Sequence, residues 1–260
     1  MRLNSGLGVL ANASMSRGAL SAAEQRAALG VRLASSLAHA VGTPLNVILG
    51  RATMLEMKPD DREAVIRNAR IIGEQARAID RTLRSAVTYL RLGRSGDPGE
   101  WRLGEALSAT VKRWEDGARE HGVSLVILPT DVVASGRLAA FSAAMDALVQ
   151  VALERCAPGG EISITAAVEY VEPPAWDAGR AERGEHVCVT LSTRSVIELP
   201  ARLHEPWLGP QSEQDQIRTA LALATAYEAA REHGGWVEPA GAEESGLRLV
   251  WSVVSPAQSD

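Results

Sequence analysis

Cysteine is nearly absent: Cys156 and Cys188 are the only two in 260 residues. Two thiols cannot build a disulfide framework, and their surroundings lack any zinc-type spacing, so two buried, reduced side chains are the expectation. The five histidines, His39, His121, His186, His204 and His233, include no pair three or four residues apart. No helical metal site is written, and no metal is expected. Long apolar runs are missing as well. Residues 1–20 carry a short apolar patch broken by Asn and Ser, which suits neither a signal peptide nor a membrane span. That segment is expected to be flexible and the protein cytoplasmic. Charge of one sign is not concentrated either, since the formal net charge is -5 with Lys and Arg scattered among the acids. This pattern excludes a nucleic-acid footprint and a membrane-binding patch and leaves proteins as partners.

What the chain does have is 46% apolar residues, enough to bury real cores without metals or disulfides. Ser21-Ala22-Ala23-Glu24 has the spacing of a capping box, so a helix should begin there. From it an apolar stripe runs through Leu33, Leu37, Val41, Leu45, Ile48, Ala52 and Leu55, in the steps of three or four that hold one helical face as far as Met57. Pro44 should bend this helix by removing a backbone donor. Lys58-Pro59-Asp60-Asp61 reads as a turn and N-cap, and a second stripe follows at Val65, Ala69, Ile72, Ala76, Ile79, Leu83, Val87 and Leu90. The pair forms an antiparallel hairpin over residues 21–94. Two helices with one stripe each cannot close a core, whereas two hairpins face to face make a four-helix bundle, so a homodimer is expected.

Ser95 to Gly99 is a turn-rich linker, and a second domain is expected over residues 101–256. The pattern predicts a helix from Arg102 to Glu120, a strand from Val123 to Leu128, a short strand near Val132 and a helix from Leu138 to Cys156. Strands from Glu161 to Val171 and His186 to Ser192 flank a charged loop at Glu172 to Gly184. A helix from Gln214 to His233, a turn at Gly234-Gly235 and strands at Trp236 to Glu238 and Leu247 to Val254 complete it. Helices and strands that do not strictly alternate predict an α+β fold, helices layered on a mixed sheet.

Within the first helix, Ser36-Leu37-Ala38-His39-Ala40-Val41-Gly42-Thr43-Pro44-Leu45-Asn46 closely resembles the phosphoacceptor box of the sensor histidine kinases of two-component signalling. There His is followed by an acid, two variable positions and Thr-Pro-Leu. Helical spacing agrees: His39 lies off the Leu33/Leu37/Val41 stripe, with Thr43 and Asn46 following on the same face. A neutral imidazole keeps one lone pair free to attack phosphorus. Residues 101–256 resemble, in order and spacing, the family's ATP-binding domain, a two-layer α/β sandwich of the Bergerat type.

The departures are as informative. By the resemblance, the acid after the histidine orients the ring and takes its proton during attack on ATP; here it is Ala40, and a methyl group does neither. Thr43, which in the family helps place water for hydrolysis of a phosphorylated partner, is retained. Leu148 and Ala152 stand where the family carries two asparagines, the second a magnesium ligand, and neither offers a hard oxygen. Leu191 to Ile197 aligns with an Asp-x-Gly-x-Gly segment, with Ser192 for the adenine-binding Asp and Arg194 and Val196 for glycines. His204-Glu205-Pro206-Trp207 resembles the family's Phe-Glu-Pro-Phe element. Ala220 to Ala224, including Ala220 and Ala222, replaces a Gly-x-Gly-Leu phosphate loop with sequence that prolongs a helix.

No cofactor is therefore expected, ATP and magnesium binding being lost and magnesium coming with the partner. The leading expectation is a phosphorelay protein whose His39 accepts and donates a phosphoryl group with receiver domains of response regulators. The alternatives are a non-catalytic pseudokinase that binds a receiver or a partner histidine kinase, or a receiver phosphatase using Thr43. Ser36, Ala40 and Asn46 are expected to face the partner.

Overall fold

The computed structural model describes residues 22–92, 96–174, 183–193, 214–240 and 245–252. Its elements are α1 (Ala22–Met57), α2 (Arg62–Arg91), β1 (Gly99–Arg102), α3 (Leu103–Glu120), β2 (Ser124–Ile127), β3 (Val133–Gly136), α4 (Leu138–Arg155), β4 (Glu161–Val171), β5 (Gly184–Thr193), α5 (Gln214–Arg231), β6 (Trp236–Pro239) and β7 (Ser245–Ser252). Among the described residues no helix is long and apolar enough to cross a membrane.

The α1–α2 hairpin forms as the apolar periodicity requires, and Pro44 lies inside α1, buried. Asp61 caps α2, its carboxylate accepting the Ala64 amide at 2.9 Å, which satisfies one of the donors left open at a helix start. The expected stripe on α2 is not its buried face. The buried residues are Ala64, Asn68, Thr82 and Ala86, small or polar groups that let the two helices approach. Leu83, Val87 and Leu90 of the expected stripe are exposed, as are Leu45 and Leu49 of α1. The hairpin therefore carries a small-residue seam within the protomer and a large-residue face outside it. Ser21, half of the expected capping box, lies outside the described residues.

In the remainder, five strands form a mixed sheet in the order β2-β4-β5-β7-β6, with β2 parallel to β4 and the other pairs antiparallel. The period of two sorts β5 cleanly: Val187, Val189 and Leu191 enter the helix-facing core, while His186, Cys188 and Ser192 point the other way. Against that inner face pack α3, α4 and α5 through Leu103, Leu107, Phe141, Met145, Leu148 and Ala226. Burial of each large side chain contributes about 1.5–3 kcal/mol. Both cysteines are buried and free.

Two boundaries differ from the sequence reading. Gly99 opens β1 instead of closing a linker, and Arg102 pairs with Val133 in a two-stranded β1–β3 ribbon, so α3 starts one residue later than expected. The ribbon is held by Trp101, whose indole N–H donates to the Gly136 carbonyl at 3.2 Å while its ring lies 4.6 Å from that of Phe141.

The end of α5 is fixed by a Schellman-type closure: Gly234 takes φ 72° and the Gly235 amide reaches back to the Ala230 carbonyl at 2.9 Å. This turn positions His233. Its Nδ1 donates to the Ala229 carbonyl at 2.8 Å, Nε2 accepts the Arg137 amide at 3.0 Å, and the ring stacks on Trp251 at 4.3 Å. Gly136 faces this ring at φ 110°, where a Cβ would come within 2.4 Å of His233 Cδ2. Burial is the largest cause pushing the His233 pKa below the ordinary imidazole range; Arg137 adds to it, and the Ala229 carbonyl and Glu232 oppose it. The unfolded chain therefore takes up a proton at about pH 6.5 that the folded chain refuses. Folding stability should be complete above that pH and fall as the pH drops from 7 towards 5, and His233→Gln should flatten that part of a pH–Tm profile. A profile unchanged by the substitution would contradict the assignment.

Candidate functional site

His39 sits in the middle of α1 with its side chain in solvent, and Thr43 and Asn46, one and two turns on, are exposed as well. The structure thus places these three together on one open face. The Thr43 hydroxyl donates to the His39 carbonyl at 3.3 Å, tying it to the helix backbone directly beneath the imidazole. The side chain of Ser36 lies outside the described residues.

Ala40 was expected to face a partner, and the structure corrects this. It is 1% exposed, covered by the chain's own α5: Ala40, Ala86 of α2 and Leu221 of α5 form one buried cluster, with Leu37 and Tyr89 at its edge. Successive residues on a helix point about 100° apart. One turn of α1 can therefore offer His39 to water while pressing Ala40 into the second layer.

Between α2 and the α3–α4–α5 layer lies a cavity of about 640 Å³, with Ala147, Gln150 and Glu154 on its α4 wall and Ala222 on its α5 wall. Of the positions matched to nucleotide motifs, Ala222 alone among the described residues lines it. Leu148 and Ala152 are fully buried in the sheet-facing core, Ser192 lies on the opposite face of the sheet, and Ala220 is buried inside α5. Arg194, Val196 and His204 to Trp207 lie outside the described residues.

Two carboxylates on the cavity wall, Asp146 and Glu154, are already engaged. Asp146 accepts from Arg113 at 2.9 Å and from the Trp114 indole at 3.0 Å. Glu154 accepts from Gln150 at 3.1 Å and forms an ion pair with Arg218, both side chains being more than four-fifths buried. That pair ties α4 to the first half of α5, and sequence reasoning missed it, because residues 154 and 218 are linked by no local pattern.

No protein-family model matches the chain, and no curated protein matches it in sequence. Its structure is similar to solved histidine kinases. The alignment with histidine kinase AdeS of Acinetobacter baumannii covers 83% of this chain and 98% of that one, with TM-score 0.55 and 14% identity. With histidine kinase ThkA, solved in complex with the response regulator protein TrrA, the TM-score is 0.61 at 18% identity. That alignment covers 88% of this chain and 62% of ThkA, so the chain spans less than two thirds of it. The α+β fold defined above, a helical hairpin joined to a helix-on-sheet sandwich, is the fold of the sensor histidine kinases.

If the Arg218–Glu154 pair holds the cavity wall together, replacing either residue with Ala takes the opposite charge away from a largely buried group. Each single substitution should lower stability, and the double substitution should cost less than the sum, with a coupling of about 0.5–3 kcal/mol in denaturant titration. Strict additivity would exclude a structural role for the pair.

Proposed function

We propose that the chain is a histidine phosphotransfer protein of two-component signalling, with His39 as the phosphoacceptor and no competent ATP site. In this reading residues 21–94 are the dimerisation and phosphotransfer hairpin, and residues 101–256 are an ATPase-like domain kept as structure. The observation that carries it is the open imidazole of His39, on a kinase-type hairpin, beside a fully buried methyl group at the position where the resemblance puts the acid needed for attack on ATP.

A receiver's aspartyl phosphate docks on the exposed face of α1, and a lone pair of the His39 ring attacks phosphorus. The N–P bond forms as the aspartyl O–P bond breaks, the aspartate leaves as a carboxylate, and the ring proton passes to solvent. The reverse sequence delivers the group to the aspartate of a second receiver. Such a transfer needs an exposed, oriented nucleophile; the magnesium ion and acidic pocket come with the receiver. That ThkA is known in complex with a response regulator supports the choice of partner.

The residues present do not fit magnesium-ATP. The α4 positions matched to the family's asparagines are apolar and turned into the core, and Asp146 and Glu154 of the same helix are held by arginines.

The outward apolar face of the hairpin supports the homodimer: exposed Leu83, Val87 and Leu90 have no cover within the protomer. Leu83→Glu with Val87→Glu should convert a dimer to a monomer in sedimentation analysis, and a dimer that survives both charges would refute that interface.

His39→Gln should abolish acid-labile labelling by a phosphorylated receiver while the oligomer persists; undiminished labelling would overturn the assignment. Thr43→Ala should leave transfer intact if Thr43 serves only hydrolysis of the receiver's phosphate. Receiver binding with no phosphohistidine at any time would instead establish a binding-only role.

A further inference from the structure

α5 meets the hairpin through an interlock. The Leu221 side chain is 0% exposed and sits against two alanines, Ala40 of α1 and Ala86 of α2, which are themselves 1% and 3% exposed. A large aliphatic group between two methyl groups on adjacent helices is a knob in a hole, and the hole exists because both positions are small. A long or charged side chain at residue 40 would occupy the place of Leu221, whereas one extra hydroxyl would not.

The contact continues along α2. Tyr89, one turn beyond Ala86, packs both on the Leu221 cluster and on the main core of the sandwich, and Leu92 is buried in that main core. Ala86, Tyr89 and Leu92 are spaced by three and hold one face of the helix. Burial pushes the Tyr89 phenol pKa up, with Glu228 of α5 adding to it and Arg231 opposing it. Tyr89 thus links the Leu221 contact to the main core along one side of α2.

We infer that Leu221 seated between Ala40 and Ala86 is a latch that holds the sandwich on the hairpin as one body while leaving His39 open to a partner. Ala40 thereby acquires a positive role, a seat for α5, that is independent of whether His39 carries phosphate. The latched arrangement covers the residue next to His39 and leaves the imidazole uncovered, so a partner reaches the ring without prior separation of the two parts.

Amide hydrogen exchange on the full-length chain tests this. Glu is a good helix former, so Ala40→Glu is tolerated by α1 itself, but it cannot share the seat with Leu221. The variant should speed exchange at least tenfold in residues 84–92 and 218–228 and leave β4, β5 and β7 protected. Leu221→Asn, made from the other side of the contact, should reproduce the effect, and Ala40→Ser should retain wild-type protection. No change in Ala40→Glu, or loss of protection spread through the sheet, would overturn the latch. In parallel, the rate of His39 modification by diethyl pyrocarbonate should agree within twofold between wild type and Leu221→Asn, which opens the contact without placing an acid beside the ring. A rise of tenfold or more on unlatching would show that the docked state shields the ring and would overturn the second half of the inference.

Discussion

The packing of Leu221 against Ala40 and Ala86 sets what the rest of the molecule can present, because it is where α5 of the helical layer meets both helices of the hairpin. Close packing of this kind tolerates little change in volume. It fixes the cavity between α2 and the sandwich, it lays α5 alongside Tyr89, and it decides which faces of α1 remain free. His39, Thr43 and Asn46 are on a free face; Ala40 is not.

The chemistry follows from that division. An imidazole in solvent is a nucleophile for an activated phosphoryl group brought to it, but it has no carboxylate at the next residue to take its proton. On the other side of the seat, two carboxylates of the cavity wall are spent on arginines: Asp146 on Arg113, and Glu154 on Arg218. These ion pairs supply cohesion between helices where the resemblance places a nucleotide. His233 contributes in the same structural sense, its two ring nitrogens committed to Ala229 and Arg137 and its face to Trp251.

Much of the fold was legible because periodicity and turn chemistry are local. The strand from His186, the turn at Gly234 and the Asp61 cap could each be read from a few adjacent residues; the structure has a strand, a turn and a cap there, with α5 ending at Arg231, two residues before the expected His233. The large residues of the α2 stripe form an outward face, as an expected bundle of two hairpins needs, whereas the seam within the protomer is built from Ala64, Asn68, Thr82 and Ala86, which apolar counting overlooks. α4 gave no face to choose between, being apolar nearly all round from Ala147 to Leu153, so Leu148 and Ala152 were matched to motif positions that turn into the core. The exposure of His39 was readable from its offset from the α1 stripe. The seat at Ala40 was not, because its partner lies far along the chain and a small residue in a helix carries no sign of what fills the space beside it.

The most direct measurement is the source of phosphate on His39. Purified protein would be incubated with magnesium-ATP alone and, separately, with a cognate receiver phosphorylated by its kinase, and phosphohistidine detected by mass spectrometry of the α1 peptide. The account predicts an acid-labile phosphoryl group at His39 in the second case and none in the first. Labelling by magnesium-ATP alone would contradict it, as would a phosphorylated receiver that binds and never transfers.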